Sequence, residues 1–177
     1  MMTLVTGGSG SGKSEFAENR TLEYSRENLI YIATMVAFDE EAHRKIARHR
    51  EMRKEKNFDT RECFVDLRSL ELKRGNTVLL DCVSNLVANE MYQENGAHEH
   101  TVEQIIEGVK KIKRQVRNLV IVTNEVFSDG ITYDEETKRY IKYLGAINKA
   151  LAEMSDEVIE VVYTIPIYHK GREEVKC

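Results

Sequence analysis

Eight consecutive residues, Gly7-Gly8-Ser9-Gly10-Ser11-Gly12-Lys13-Ser14, spell G-x-x-x-x-G-K-[ST] in full. Glycines at this spacing let the backbone turn tightly, so that successive N–H groups converge on a concavity suited to phosphate oxygens. A helix starting near Lys13 adds its positive dipole end. In such a loop Lys13 reaches the β- and γ-phosphates of a nucleoside triphosphate, and the Ser14 hydroxyl ligates Mg²⁺. The competing reading is an accidental glycine-rich turn. A short β-branched run before the loop and a helical composition after it favour the nucleotide site.

A metal-organising acid is expected at the end of a neighbouring strand. Asp81, after Val78-Leu79-Leu80, takes that place; its other role would be a strand-end or helix-capping Asp, since Ser84 and Asn85 follow. Thr123-Asn124-Glu125 also closes an apolar run, where the ligands of parallel sheets gather. The Asn-Lys-x-Asp guanine reader of regulatory GTPases occurs nowhere in the chain.

The third chemical feature is a histidine in a basic stretch. Arg44, Lys45, Arg48, Arg50, Arg53, Lys54 and Lys56 stand against Glu51 and Glu55, so seven positive charges meet two negative ones. Charge runs are usually solvated helix faces. Phe38, Ala42, Ile46 and His49, however, recur at four, four and three residues, a stripe that turns His49 toward the protein body. His43 falls off that stripe. His49 is therefore either a packed core residue or a nucleophile, a neutral imidazole flanked by arginines able to hold phosphate bidentately.

These groups need elements to position them. Residues 3–6, 29–34, 77–80 and 119–123 read as buried strands, and a last strand is expected over 158–167. Helices are expected over 13–26, 39–56, 85–93, 102–117 and 135–154. Near-continuous apolar strands alternating with helices indicate an α/β fold: a P-loop NTPase-like, mostly parallel central sheet with helices on both faces. No repeat, low-complexity tract or linker divides the 177 residues, so a single nucleotide-binding domain over 1–177 is expected.

Composition narrows the function. A net charge of −4 excludes a broad basic surface for nucleic acid, while the local basic stretch leaves room for polyphosphate. No apolar run approaches the ~20 residues of a membrane span. Cys63, Cys82 and Cys177 are too few and too scattered for a disulfide framework or a zinc site. With no signal-peptide pattern, a cytoplasmic location is expected.

Taken together, the motifs resemble the bifunctional adenosylcobinamide kinase / adenosylcobinamide-phosphate guanylyltransferase family of cobalamin biosynthesis. The residues that carry the resemblance are Leu4-Val5-Thr6-Gly7-Gly8 with Ser11-Gly12-Lys13-Ser14, Tyr31-Ile32-Ala33-Thr34, Lys45-Ile46-x-x-His49-Arg50-x-x-Arg53, Thr60-x-Glu62, Leu80-Asp81-Cys82 with Asn85-Leu86, Val122-Thr123-Asn124-Glu125-Val126, Gly130-Ile131, and Gly145-x-x-Asn148. The resemblance implies phosphorylation of adenosylcobinamide by ATP or GTP, then transfer of GMP from GTP through a guanylylated histidine, which the matched block places at His49. It implies nucleotide contacts at residues 7–14, at Ala33, Thr34 and Met35, at Arg50, Glu51, Met52 and Arg53, and at Glu62 and Asp81. It also implies Mg²⁺ at Ser14 and Asp81 through the nucleotide, and a homo-oligomer, with a trimer in view. A P-loop small-molecule kinase without guanylyl transfer, or a non-catalytic nucleotide-binding protein, are the alternatives. Phe58, Cys63, Phe127, Thr132, Tyr133 and Thr164 depart from the family pattern. Those departures are expected on the acceptor side, away from the nucleotide groups.

Overall fold

The computed structural model describes residues 1–37, 39–125 and 133–171, without the side chains of Lys45, His49 and Met52. Expectations at Phe38, Val126, Phe127, Gly130, Ile131, Thr132 and Cys177 lie outside the described residues, as does any statement about the His49 side chain.

The elements run β1 (Met2–Thr6), α1 (Lys13–Tyr24), β2 (Leu29–Ala33), α2 (Glu40–Arg53), β3 (Asp59–Glu62), β4 (Thr77–Asp81), α3 (Val83–Tyr92), α4 (Thr101–Gln115), β5 (Asn118–Val122), α5 (Glu135–Met154), β6 (Glu157–Val162) and β7 (Ile165–Lys170). The strands form one sheet in the order β3-β2-β4-β5-β1-β6-β7. Every pairing is parallel except the β6–β7 hairpin at the edge.

The apolar runs fill both faces of the sheet by alternation. Leu4, Ile30, Ile32, Val78, Leu80, Leu119 and Ile121 join the core beneath α3, α4 and α5, with Val87, Ile105, Ile112, Leu144 and Ile147. Val5, Tyr31, Leu79, Val120 and Val122 face the other way and pack with Ala17 of α1. Truncating a fully buried side chain such as Leu80 in such a core costs about 2–5 kcal/mol. Helices on both faces of a mostly parallel sheet match the expected fold class. No helix among the described residues is long and apolar enough to cross a membrane.

Two elements differ from the sequence reading. β3 was not expected, because Asp59-Thr60-Arg61-Glu62 is polar and fully exposed and carries no apolar pattern. The run expected as one strand over 158–167 is two antiparallel strands. Their turn places Tyr163 and Thr164 at φ +48° and +68°, a conformation that usually calls for Asn or Gly. A Tyr-Thr pair gave no turn signal.

α2 begins with Asp39, whose side chain accepts the Ala42 N–H at 2.7 Å. Glu40 and Glu41 in its first turn, and Arg50 and Arg53 in its last, complement the helix dipole. Of its described side chains only Arg53 is buried.

Candidate active site

Strand register sets the site. Glu62, Ala33, Asp81, Val122 and Val5 stand in one row across five parallel strands. The row lies at their carboxyl ends, where open α/β sheets bind ligands. The glycine loop leaves β1 immediately beyond it.

Gly12 caps α1 at φ +90°, and a Cβ there would lie 2.9 Å from the Thr164 methyl group. Both the dihedral and the close approach require glycine. Thr164 also donates its N–H to the Ser11 carbonyl at 2.8 Å, so the β6–β7 turn braces the loop. Lys13 Nζ donates to the Gly8 carbonyl at 2.9 Å, curling back over the loop. Lys13 is 8% exposed, and burial lowers its pKa, opposed by the charges of Cys82 and Asp81. An ammonium held with so little water gains much from an arriving phosphate.

Between the carboxyl ends of β2, β3 and β4 and the helix α2 opens a cleft of about 480 Å³, mouth included. The residues expected as nucleotide contacts that line it are Ala33, Met35, Arg50, Arg53, Glu62 and Asp81. Tyr31, Ile46, Thr60 and Asn85 line it too and were not singled out as contacts. All of them belong to the blocks that carry the family resemblance; their side-chain directions depend on pairing register, which sequence spacing does not give. Ile46, Arg50 and Arg53 lie three residues before, one after and four after His49, so this stretch of α2 borders the cleft.

The loop residues 7–14 are not among the residues lining the cleft, the Met52 side chain lies outside the described residues, and two further expected contacts stand elsewhere. Thr34 is fully buried, and its hydroxyl accepts the Cys82 N–H and donates to the Cys82 carbonyl, both at 2.8 Å. It ties the end of β2 to the end of β4 and does not line the cleft. Glu51 is exposed and pairs with Lys54 at 3.7 Å.

Asp81 Oδ2 accepts a hydrogen bond from the Tyr31 hydroxyl at 3.0 Å. Burial, then the charge of Asp81, raises the Tyr31 pKa well above the ordinary phenol value, so Tyr31 remains a donor. Asp81 does not cap α3; Cys82 holds that position without a side-chain capping bond. Oxygen donors at Asp81 and Ser14 suit Mg²⁺, which takes one or two protein ligands and completes its shell with phosphates and water. Among the described residues no cluster of three or more His, Cys, Asp or Glu could hold a metal without such help.

The Thr123-Asn124-Glu125 segment enters a polar belt. Thr123 donates to Asn148 Oδ1 at 2.7 Å, Asn148 donates to the Asn124 carbonyl at 3.3 Å, and Asn124 donates to Ser84 Oγ at 2.6 Å. Tyr140 donates to the Ser84 carbonyl at 3.1 Å. This belt locks β5, α3 and α5 together beside the loop.

Three of the departures from the family pattern sit on the nucleotide side, contrary to expectation. Thr164 touches the loop, as described. Phe58 packs edge-on against Tyr31, with ring centroids 6.3 Å apart. Cys63 is buried beside Ala33, donating its N–H to the Ala33 carbonyl at 2.9 Å.

Comparison with known proteins agrees with this geometry. The family described as cobinamide kinase / cobinamide phosphate guanyltransferase matches residues 3–168. This chain belongs to that family. Among its relatives, the bifunctional adenosylcobalamin biosynthesis protein CobU of Salmonella typhimurium is 32% identical over 94% of this chain and 98% of its own length. CobP of Pseudomonas aeruginosa, described by the same activity name, is 30% identical over 97% and 98%. Among solved structures, a KaiC-like protein of Pyrococcus horikoshii superposes with a TM-score of 0.51 at 13% identity, covering 98% of this chain and 81% of that one. The structural likeness shows the P-loop NTPase fold of the cobinamide kinase family member described here.

Proposed function

We propose that this chain, as one nucleotide-binding domain over residues 1–177, carries both activities of its family. It phosphorylates adenosylcobinamide with ATP or GTP, then converts adenosylcobinamide phosphate to adenosylcobinamide-GDP with GTP. The observation that carries this reading is the cleft itself: Ile46, Arg50 and Arg53, bracketing position 49, line it together with Asp81, whose charge acts on Lys13 of the phosphate loop.

In the first reaction the aminopropanol hydroxyl attacks the γ-phosphorus, the bond to the β-phosphate oxygen breaks, and the hydroxyl proton passes to solvent or a nearby base. The loop N–H groups and Lys13 hold the phosphates in line, so the protein's part is positioning and charge neutralisation. Mg²⁺ held by Ser14, Asp81 and the phosphates would supply further neutralising charge.

In the second reaction an imidazole nitrogen of His49 attacks the α-phosphorus of GTP. A nitrogen–phosphorus bond forms and pyrophosphate leaves. A phosphate oxygen of the phosphorylated corrinoid then displaces the histidine, which returns to its neutral form. Dividing the transfer into two displacements lets GMP reach the acceptor at one site. Arg50, on the lining of the cleft, would offset charge on the departing pyrophosphate. The enzyme is proposed to work in the cytoplasm as a homo-oligomer.

GTP labelled at the α-phosphate tests this. An acid-labile, alkali-stable protein–GMP adduct is expected, chased by adenosylcobinamide phosphate and lost in His49→Ala. Turnover of cobinamide by the kinase with no adduct would reduce the function to a P-loop kinase; tight nucleotide binding without either reaction would leave a binding protein.

A further inference from the structure

Glu18 lies in the middle of α1 and is fully buried, although no motif marks it. Its carboxylate meets two cations from the end of α2 and the turn beyond: Lys56 Nζ at 2.6 Å and Arg53 Nη1 at 3.8 Å. The Arg53 guanidinium carbon lies 3.4 Å from the centroid of the Tyr31 ring, a cation–π contact. Tyr31 in turn donates to Asp81. The contacts form a chain that leaves α1 at Glu18 and runs along the cleft to Asp81 at the end of β4.

A carboxylate withdrawn from water is unfavourable unless paired, and apolar contacts commonly stabilise as well or better. Glu18 nevertheless stands where α1 could have offered an apolar side chain, next to buried Ala17. Its Oε1 and the Arg53 Nη1 atom are both buried without a hydrogen-bond partner among the described residues, since 3.8 Å is too long for one. What the charges add over an apolar contact is a defined place for Arg53. His49 precedes Arg53 by four residues, about one helical turn. Fixing Arg53 therefore fixes where that turn of α2 stands along the cleft.

We propose that Glu18 is a positioning residue for guanylyl transfer: it anchors the end of α2 through Arg53 and Lys56 and so sets the approach of position 49 to the α-phosphate. The proposal rests on the guanylyltransferase reading above.

Glu18→Gln keeps the shape and removes the charge. Hydrogen–deuterium exchange over residues 40–56 is expected to accelerate about tenfold or more, while β4 and β5 stay within about twofold. The adduct should form at saturating GTP more slowly, on the order of 10- to 100-fold, as small misplacements of a reacting group do. Binding of tripolyphosphate, which engages the loop alone, should stay within about twofold. Lys56→Gln, at a partly exposed position, is expected to shift the same readings less, and carries the test alone if Glu18→Gln does not fold. Unchanged exchange over 40–56 overturns the anchor. Faster exchange with an unchanged adduct rate overturns the positioning role. Equal loss of tripolyphosphate binding and adduct formation assigns Glu18 a merely structural role and overturns it too. A wild-type protein that forms no adduct instead overturns the guanylyltransferase reading, and the exchange data still decide the anchor.

Discussion

In the floor of the sheet, β4 and β5 bury every residue except half-buried Asp81, which reaches the cleft, and α1 buries Ala17 and Thr21. On the outer wall, all four residues of β3 are exposed, and Arg53 is the one buried side chain among those described in α2. The floor is held by apolar burial on both faces of the sheet. The wall is held by charge: Glu18 with Arg53 and Lys56 inside, Arg50 with Glu62 outside. Regions with few buried apolar contacts open at lower free energy than core strands. The phosphate loop therefore stands on the rigid side, and the proposed nucleophile on the side that charged contacts help to position. A perturbation of the floor should affect both reactions; one of the wall should affect guanylyl transfer.

The largest test of this contrast is Lys13→Met. Methionine keeps the buried stem and loses the ammonium, so both the kinase and the guanylyl transfer should fall on the order of 10²–10³ in kcat/KM, the usual effect of removing one donor to developing charge. Steady-state assays of each reaction check it. A variant that loses kinase activity but forms the GMP adduct at the wild-type rate would separate the two reactions and break the contrast.

Next comes Gly7→Ala. A Cβ there would lie 2.5 Å from the Val161 carbonyl oxygen and 2.7 Å from Ser11 Oγ, so β6 or the loop must move. The expected cost is near 3 kcal/mol, the upper end for overpacking, read from the urea midpoint. Gly75→Ala, where a Cβ meets nothing within 4 Å, is the control and should stay within about 0.5 kcal/mol.

The contrast also explains what could be read before folding. The floor announces itself, because Val78-Leu79-Leu80 and Leu119-Val120-Ile121-Val122 must be buried wherever they lie, and the glycine loop has one compatible context. The wall does not. Asp59-Thr60-Arg61-Glu62 becomes a strand only because β2 offers it an edge, so its pairing is a tertiary fact. Thr34 matched the family block, but the register that turns its hydroxyl to Cys82 is invisible in spacing. Glu18 is one acid among several in α1; that it is buried follows only from where α2 lands. The histidine block was legible as a charged helix, and its place beside Asp81 was not.

A smaller effect probes the root of the floor. At the amino end of β6, Glu157 accepts hydrogen bonds from Tyr24 at 2.7 Å, Arg20 at 2.6 Å and Thr3 at 2.9 Å. Burial works to raise its pKa, but these bonds outweigh it and hold the carboxyl below the ordinary value of 4.5. A depressed folded-state pKa means that the stabilisation is complete above the unfolded value and disappears as pH falls through the folded one. Glu157→Gln should therefore cost about 2 kcal/mol at pH 7, as loss of hydrogen bonds to a charged group does. Its thermal midpoint should converge on that of the wild type below pH 4.5. A gap that persists unchanged in acid would assign the effect to shape instead of charge.

The smallest effect sharpens the wall. Arg50 and Glu62 are 3.4 Å apart with side chains 63% and 57% exposed, and such pairs contribute at most about 1 kcal/mol. Glu62→Gln should move the thermal midpoint by less than about 4 °C in a chain of this size. The same change removes a carboxylate from the lining of the cleft, so KM for GTP should rise several-fold in guanylyl transfer, on the order of one ordinary hydrogen bond. The kinase reaction with ATP, which depends on the floor, should keep its kcat. A fall in the midpoint beyond about 4 °C, or an equal loss in both reactions, would show that β3 supports the fold as well as the nucleotide, and the division between floor and wall would no longer hold.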